Sequence, residues 1–155
     1  MSFRIQGLSQ HTFHALVGQP DAVLQRHRAM RRVVDSAPGY PDRITLDDVP
    51  VGEPVLLVHH EHQGADTPFR ASHAIYVWER APQRWDRLDA IPPALARRLI
   101  SLRAFDAQHL MIDADIAPGE QLSTLIERMF ANREAAYLHA HYAKWGCFAA
   151  RVDRA

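Results

Sequence analysis

The sequence predicts an α+β domain: a mainly antiparallel sheet built from hairpins, with several short helices and one longer amphipathic helix packed on it. Three observations carry this. Runs of strand length recur in pairs around short polar connections, at 55–62 with 73–80, 99–105 with 109–116, and 136–143 with 147–153. Residues 109–116 alternate with a period of two, Leu110, Ile112, Ala114 and Ile116 against His109, Met111, Asp113 and Asp115, the pattern of a strand with one wet face. Leu122, Leu125, Ile126, Met129 and Phe130 fall at i, i+3, i+4, i+7 and i+8, the apolar stripe of a helix. Hairpins with helices set between them place those helices on one face of the sheet.

The elements follow in order. Residues 2–8 make a short opening strand through Phe3 and Ile5. Ser9 is suited to cap a helix over 10–17 with Phe13, Leu16 and Val17 inward, ended by Gly18. Pro20-Asp21 starts a second helix running to about Arg28 with Val23, Leu24 and His27 inward; proline is tolerated in a first turn, and aspartate complements the helix dipole there. A strand over 31–35 is closed by Ser36-Ala37-Pro38-Gly39. Pro41, Asp47-Asp48, Pro50 and Gly52 break 40–54, leaving a strand only at 43–46. After the first hairpin, 81–91 is a polar loop into Pro92-Pro93, which opens a helix over 93–98. The second hairpin turns at Asp106-Ala107-Gln108, and the long helix runs from near Pro118 to Asn132 or Arg133. Lys144-Trp145-Gly146 joins the last hairpin. No repeat, low-complexity stretch or linker divides residues 1–155, so one globular domain is expected.

Composition narrows the function. Apolar residues make up 47% and charged residues 23%, ordinary for a globular chain, and 155 residues bury a core of adequate size. Eighteen basic residues balance eighteen acidic ones, so no global field attracts nucleic acid or an anionic membrane. Trp78, Trp85 and Trp145 do not interleave with a basic stripe, the arrangement a single-strand platform needs. The chain has no apolar run near eighteen residues and no signal-peptide layout at its start. The single cysteine, Cys147, allows no internal disulfide and suits a reducing cytosol. A glycine-rich phosphate loop and a Gly-x-Ser-x-Gly elbow are both missing, so no nucleotide cofactor is implied.

The ten histidines are the chemical signal. Strand parity splits His59-His60-Glu61-His62, putting His60 and His62 on one face and Glu61 on the other, and it aligns His139 with His141 and Tyr137. Two reactive arrangements follow. In one, His139 or His141 is a general acid or base, Glu61 or His62 orients an imidazole, and Arg70 or Arg103 holds an anionic group. In the other, the two His-x-His pairs bind Zn²⁺ or Fe²⁺ with oxygen from Glu61, Asp113 or Asp115. Cys147, behind a glycine and across a hairpin from two histidines, is a candidate nucleophile. A non-catalytic structural or interaction domain, whose polar groups only satisfy one another, is the competing class. An exposed edge on the last hairpin leaves a homodimer open.

Several stretches carry a resemblance: Pro38-Gly39-Tyr40-Pro41, Glu61-His62-Gln63, Pro68-Phe69-Arg70-Ala71-Ser72, Ser101-Leu102-Arg103-Ala104-Phe105-Asp106, Asp113-Ala114-Asp115, His139-Ala140-His141 and Gly146-Cys147-Phe148. On these the chain resembles the bacterial family catalogued as domain of unknown function 1203. The resemblance implies a single-domain, cytosolic bacterial protein and brings no activity with it. It also implies that Glu61, His62, Arg70, Arg103, Asp106, His139, His141 and Cys147 form one candidate set. Where the family would place an asparagine after the second histidine of the last hairpin, this chain has Tyr142. The expected function is therefore a His- and Arg-lined site that binds, and in one version acts on, a small anionic molecule.

Overall fold

Nine strands divide between two antiparallel sheets, and the α+β class holds in the computed structural model, which describes residues 1–155. The strands are β1 (Phe3–Gln6), β2 (Ala29–Val33), β3 (Pro54–Gln63), β4 (Ala71–Trp78), β5 (Asp86–Leu88), β6 (Leu99–Phe105), β7 (Met111–Pro118), β8 (Tyr137–Tyr142) and β9 (Phe148–Arg154). The helices are α1 (Asp21–Arg26), α2 (Pro93–Ala96) and α3 (Leu122–Ala131). The larger sheet runs β5-β1-β9-β8-β6-β7 and the smaller β2-β3-β4. A core of 31 buried residues draws on both sheets and on α3. No helix is long and apolar enough to cross a membrane.

All three hairpins form, and β6 has the bounds its sequence predicts. Helix α3 buries Leu122, Leu125, Ile126, Met129 and Phe130 against β6 and β7. Each such side chain contributes about 1.5–3 kcal/mol relative to exposure. Its entry is a 3-10 turn, Gly119–Gln121, pressed so closely on α2 that a Cβ on Gly119 would lie 1.8 Å from the Leu95 carbonyl oxygen.

Other elements differ from expectation for tertiary reasons. The helix expected over 10–17 shortens to a 3-10 turn, Gln10–Phe13, in which Ser9 caps the His11 N–H and Phe13 alone is buried. Helix α1 buries Leu24, but His27 beyond its end is exposed. Residues 43–46 are turns rather than a strand: the Arg43 N–H donates to Tyr76 and the Arg43 carbonyl accepts from Leu8, so the segment plugs between elements instead of joining a ladder. The polar loop at 81–91 contains β5, an exposed edge strand paired with β1.

Strand β7 reverses the expected faces. Its register jumps from Ala104↔Asp113 to Phe105↔Met111, so Ile112 is the extra residue of a bulge. Asp113 and Asp115 therefore lie on the α3 side and meet Arg128 at 3.6 and 2.8 Å, while Ile116 is 57% exposed.

Candidate functional site

The inner face of β6, β8 and β9 carries polar side chains at positions where a sandwich core would be apolar. Cross-strand pairing sets Arg103 beside His139, Ser101 beside His141, and His141 beside Phe148. A second bulge, with Ala149 as the extra residue, turns Phe148 into this row. The end of β3 comes down onto the same face. There the register jumps from Glu61↔Ser72 to Gln63↔Ala71, making His62 the extra residue of a third bulge. Two consecutive side chains, His62 and Gln63, consequently reach inward.

Three imidazoles gather as a result. Ring centroids lie 4.9 Å apart for His62 and His141, 6.2 Å for His62 and His139, and 6.3 Å for His139 and His141. His139 and His141 are 3% and 1% exposed. Phe148 lies against all three, parallel to His62 and edge-on to His139 and His141. Phe105 and Tyr137 close the far side of His139, and Phe69 from the β3–β4 loop packs edge-on to Phe105. The Tyr137 hydroxyl accepts from Gln63 Nε2 at 2.9 Å and meets His109 Nδ1 at 2.8 Å, tying the sheets together beside the cluster.

Hydrogen bonding orients the rings unequally. His141 Nδ1 lies 3.1 Å from the Gly146 carbonyl oxygen, in a turn where Gly146 has φ 79°. A carbonyl only accepts, so Nδ1 carries the proton and the neutral ring presents a bare Nε2. Nδ1 of His62 and of His139 is sealed from solvent without any partner. Their neutral rings place the proton on Nε2, where it can still be donated. No protein group bonds Nε2 of any of the three, and none of those atoms is among the sealed ones.

Charge at the cluster is positive and unbalanced. Arg103 is half-buried, burial lowers its pKa, and it forms no ion pair. Its side chain makes one weak bond, Nε to the Ser101 hydroxyl at 3.4 Å. Burial, reinforced by neighbouring cationic and imidazole groups including Arg103, pulls His62 down to about 4 and His139 and His141 to about 3. All three are neutral at neutral pH. Only Glu61, the weakest influence on His62, acts in the opposite direction there.

The other sequence candidates are engaged elsewhere. Glu61 and Arg70 bond each other at 3.1 Å on the outer face, both well exposed. The Asp106 carboxylate caps its own turn through the N–H groups of Gln108 and Leu110, each at 2.9 Å. Cys147 is buried and its sulfur accepts from Arg43 Nη2 at 3.0 Å, which engages the thiol with a guanidinium rather than with an imidazole. His60 lies farther along β3, between Phe13 and Phe148. No three His, Cys, Asp or Glu side chains converge in a geometry that would hold a metal ion, and the carboxylates paired with Arg70 and Arg128 are not supplied to the histidines.

Sequence reasoning gave no role to Phe148, Gln63 or Arg43, and it placed Tyr137 on the histidine face without assigning it one. Arg43 is 1% exposed without a carboxylate partner: it donates to the carbonyls of Pro41 and Phe148, the latter at 2.8 Å, and lies 4.8 Å from the Tyr142 ring centre. It thereby fixes the backbone that carries Phe148. The parity of β8 was enough to find Tyr137 on the histidine face, but nothing local in the sequence marked Arg43.

A cleft of about 550 Å³ is lined by Asp47, Asp48, Trp78 and Trp85 rather than by the histidines. Of its three acids, Asp47 and Asp48 are paired with Arg97 and Arg98, and Asp86 with Arg4. No curated protein and no solved structure matches this chain. The family described as protein of unknown function, DUF1203, matches over residues 39–154, and the chain belongs to that family.

Proposed function

We propose that Arg103, His62, His139 and His141 bind a small anionic molecule, with His141 as the one ring that accepts a hydrogen bond from it. The observation that carries this reading is Arg103: a half-buried guanidinium with no carboxylate partner, held beside three neutral imidazoles. Leaving such a charge unpaired costs stability, and an incoming anion supplies the missing partner. A cationic wall equally disfavours a divalent metal, so the anion is preferred over Zn²⁺ or Fe²⁺ among the same residues. The chemistry is that of hydrogen-bond donors and one acceptor around an anchored anion. A reducing cytosol, which the lone Cys147 suits, is the expected setting.

The test is thermal denaturation at pH 7 with phosphate and acetate. A ligand at a hundred times its Kd adds about 2.7 kcal/mol, a rise of roughly 5–10 °C for a chain of this size. The rise should vanish in Arg103→Gln. An equal rise in that variant, or none in the wild type with either anion, removes the proposal.

A further inference from the structure

We infer that the anion taken by this cluster keeps a proton of its own, making it an oxyanion of the hydrogen phosphate class rather than a fully deprotonated one. The inference rests on the anion-binding reading and adds the ligand's hydrogen-bonding character. It follows from the three ring orientations. His62 and His139 have Nδ1 sealed, so each offers Nε2–H as a donor. Arg103 offers its free guanidinium N–H groups. His141 alone is fixed the other way, its Nδ1 proton spent on Gly146, so within the same cluster of rings its Nε2 is left as a lone pair.

An oxygen bearing no hydrogen, set against that lone pair, meets repulsion and leaves the acceptor unpaired. An O–H donates to it. A site that hydrogen-bonds a hydroxyl rejects the analogue lacking it far more strongly than an apolar pocket rejects an extra methylene. His141 cannot easily escape by taking up a proton, because it is buried among Arg103, His62 and His139 and holds its neutral form well below neutral pH. The groups facing it from neighbouring strands are Ser101 and Arg103 on β6, Phe148 on β9 and His62 on β3, with His73 on β4 also acting on it, and no carboxylate is among them.

Calorimetric titration of the full chain at pH 7 with inorganic phosphate and with sulfate tests this. Phosphate should bind on the order of 10²-fold tighter than sulfate. His141→Gln, whose amide can turn to donate, should bring the two within about tenfold. Sulfate binding within about threefold of phosphate in the wild type overturns this inference while leaving anion binding intact. Failure of phosphate, sulfate and acetate alike to bind overturns both. Because the wild-type comparison is decisive by itself, a poorly folding variant does not rescue the idea. Methyl phosphate, whose second pKa of about 6 leaves it mostly without an O–H at pH 7, should bind about tenfold or more weakly than phosphate; binding as tight as that of phosphate overturns the proton requirement. Nitrogen NMR of the unliganded protein gives an independent reading. His141 should be protonated at Nδ1, and a proton at Nε2 instead contradicts the argument.

Discussion

The ring of Phe148 lies parallel to that of His62, with 5.2 Å between centroids and 8° between planes. This single contact joins the end of the smaller sheet to the histidine row of the larger one. Phe148 is 3% exposed and also touches His139 and His141, so it is the common spacer against which the three imidazoles pack. Phe148→Ala should cost about 3–5 kcal/mol in urea denaturation. Phe148→Leu, which keeps most of the volume, should cost less than half of that. Equal losses for the two would mean that the ring is not the spacer described.

Two arginines without carboxylate partners should behave oppositely. Arg43 satisfies two carbonyl oxygens and the Cys147 sulfur from a fully buried position. Arg43→Met strands those acceptors, and each buried unsatisfied group costs about 1–3 kcal/mol. A loss of 2–5 kcal/mol is expected. Arg103 satisfies nothing but a long contact to Ser101. Arg103→Gln should therefore leave unliganded stability unchanged within about 0.5 kcal/mol or raise it, as for a residue kept for binding rather than folding. A large loss in Arg103→Gln would assign it a structural role.

Acid should weaken the fold through the histidines. In the native state His62 titrates at about 4 and His139 and His141 at about 3, against 6.5 for a free imidazole. Between pH 6.5 and 4 the unfolded chain binds protons that the native chain refuses, so stability falls as pH falls through this window. Each histidine contributes a slope of up to about 1.4 kcal/mol per pH unit. Carboxylates held low by arginines, such as Asp48 and Glu79, lose their contribution only at lower pH. Urea melts at pH 7 and pH 5 should differ by about 5–6 kcal/mol, and the difference should shrink in His139→Phe. Equal stability at the two values would mean that the imidazoles are not held neutral.

The Glu61–Arg70 pair should be dispensable for binding. Its side chains are 43% and 54% exposed, and exposed pairs contribute under about 1 kcal/mol. Arg70→Ala should leave the affinity for phosphate within twofold of wild type. Loss of binding in this variant would move the anchor from Arg103 to the β3–β4 loop.

Parity along the strands made half of this site legible. The alternation of 137–142 aligned His139 with His141, and that of 59–62 separated His62 from Glu61. The stripe of α3 was equally plain, because a helix with one apolar face states its own orientation. What stayed hidden depends on pairing partners distant in the chain. Bulges at His62, Ile112 and Ala149 are set by how neighbouring strands dock, and they decide which side chains turn inward. Hence Gln63 joins His62 on the inner face, and Asp113 and Asp115 turn to α3. Arg43 looked like part of a strand because the carbonyl that buries it, from Phe148, lies 105 residues away.

A crystal structure of the protein grown at pH 7 with inorganic phosphate tests the central claim most directly. The account predicts tetrahedral density bounded by the Arg103 guanidinium and Nε2 of His62, His139 and His141, with the His141 contact made through a phosphate O–H. Phosphate held only outside this cluster, beside Arg84 or Arg87 in the large cleft or at Arg70 on the outer face, would contradict it.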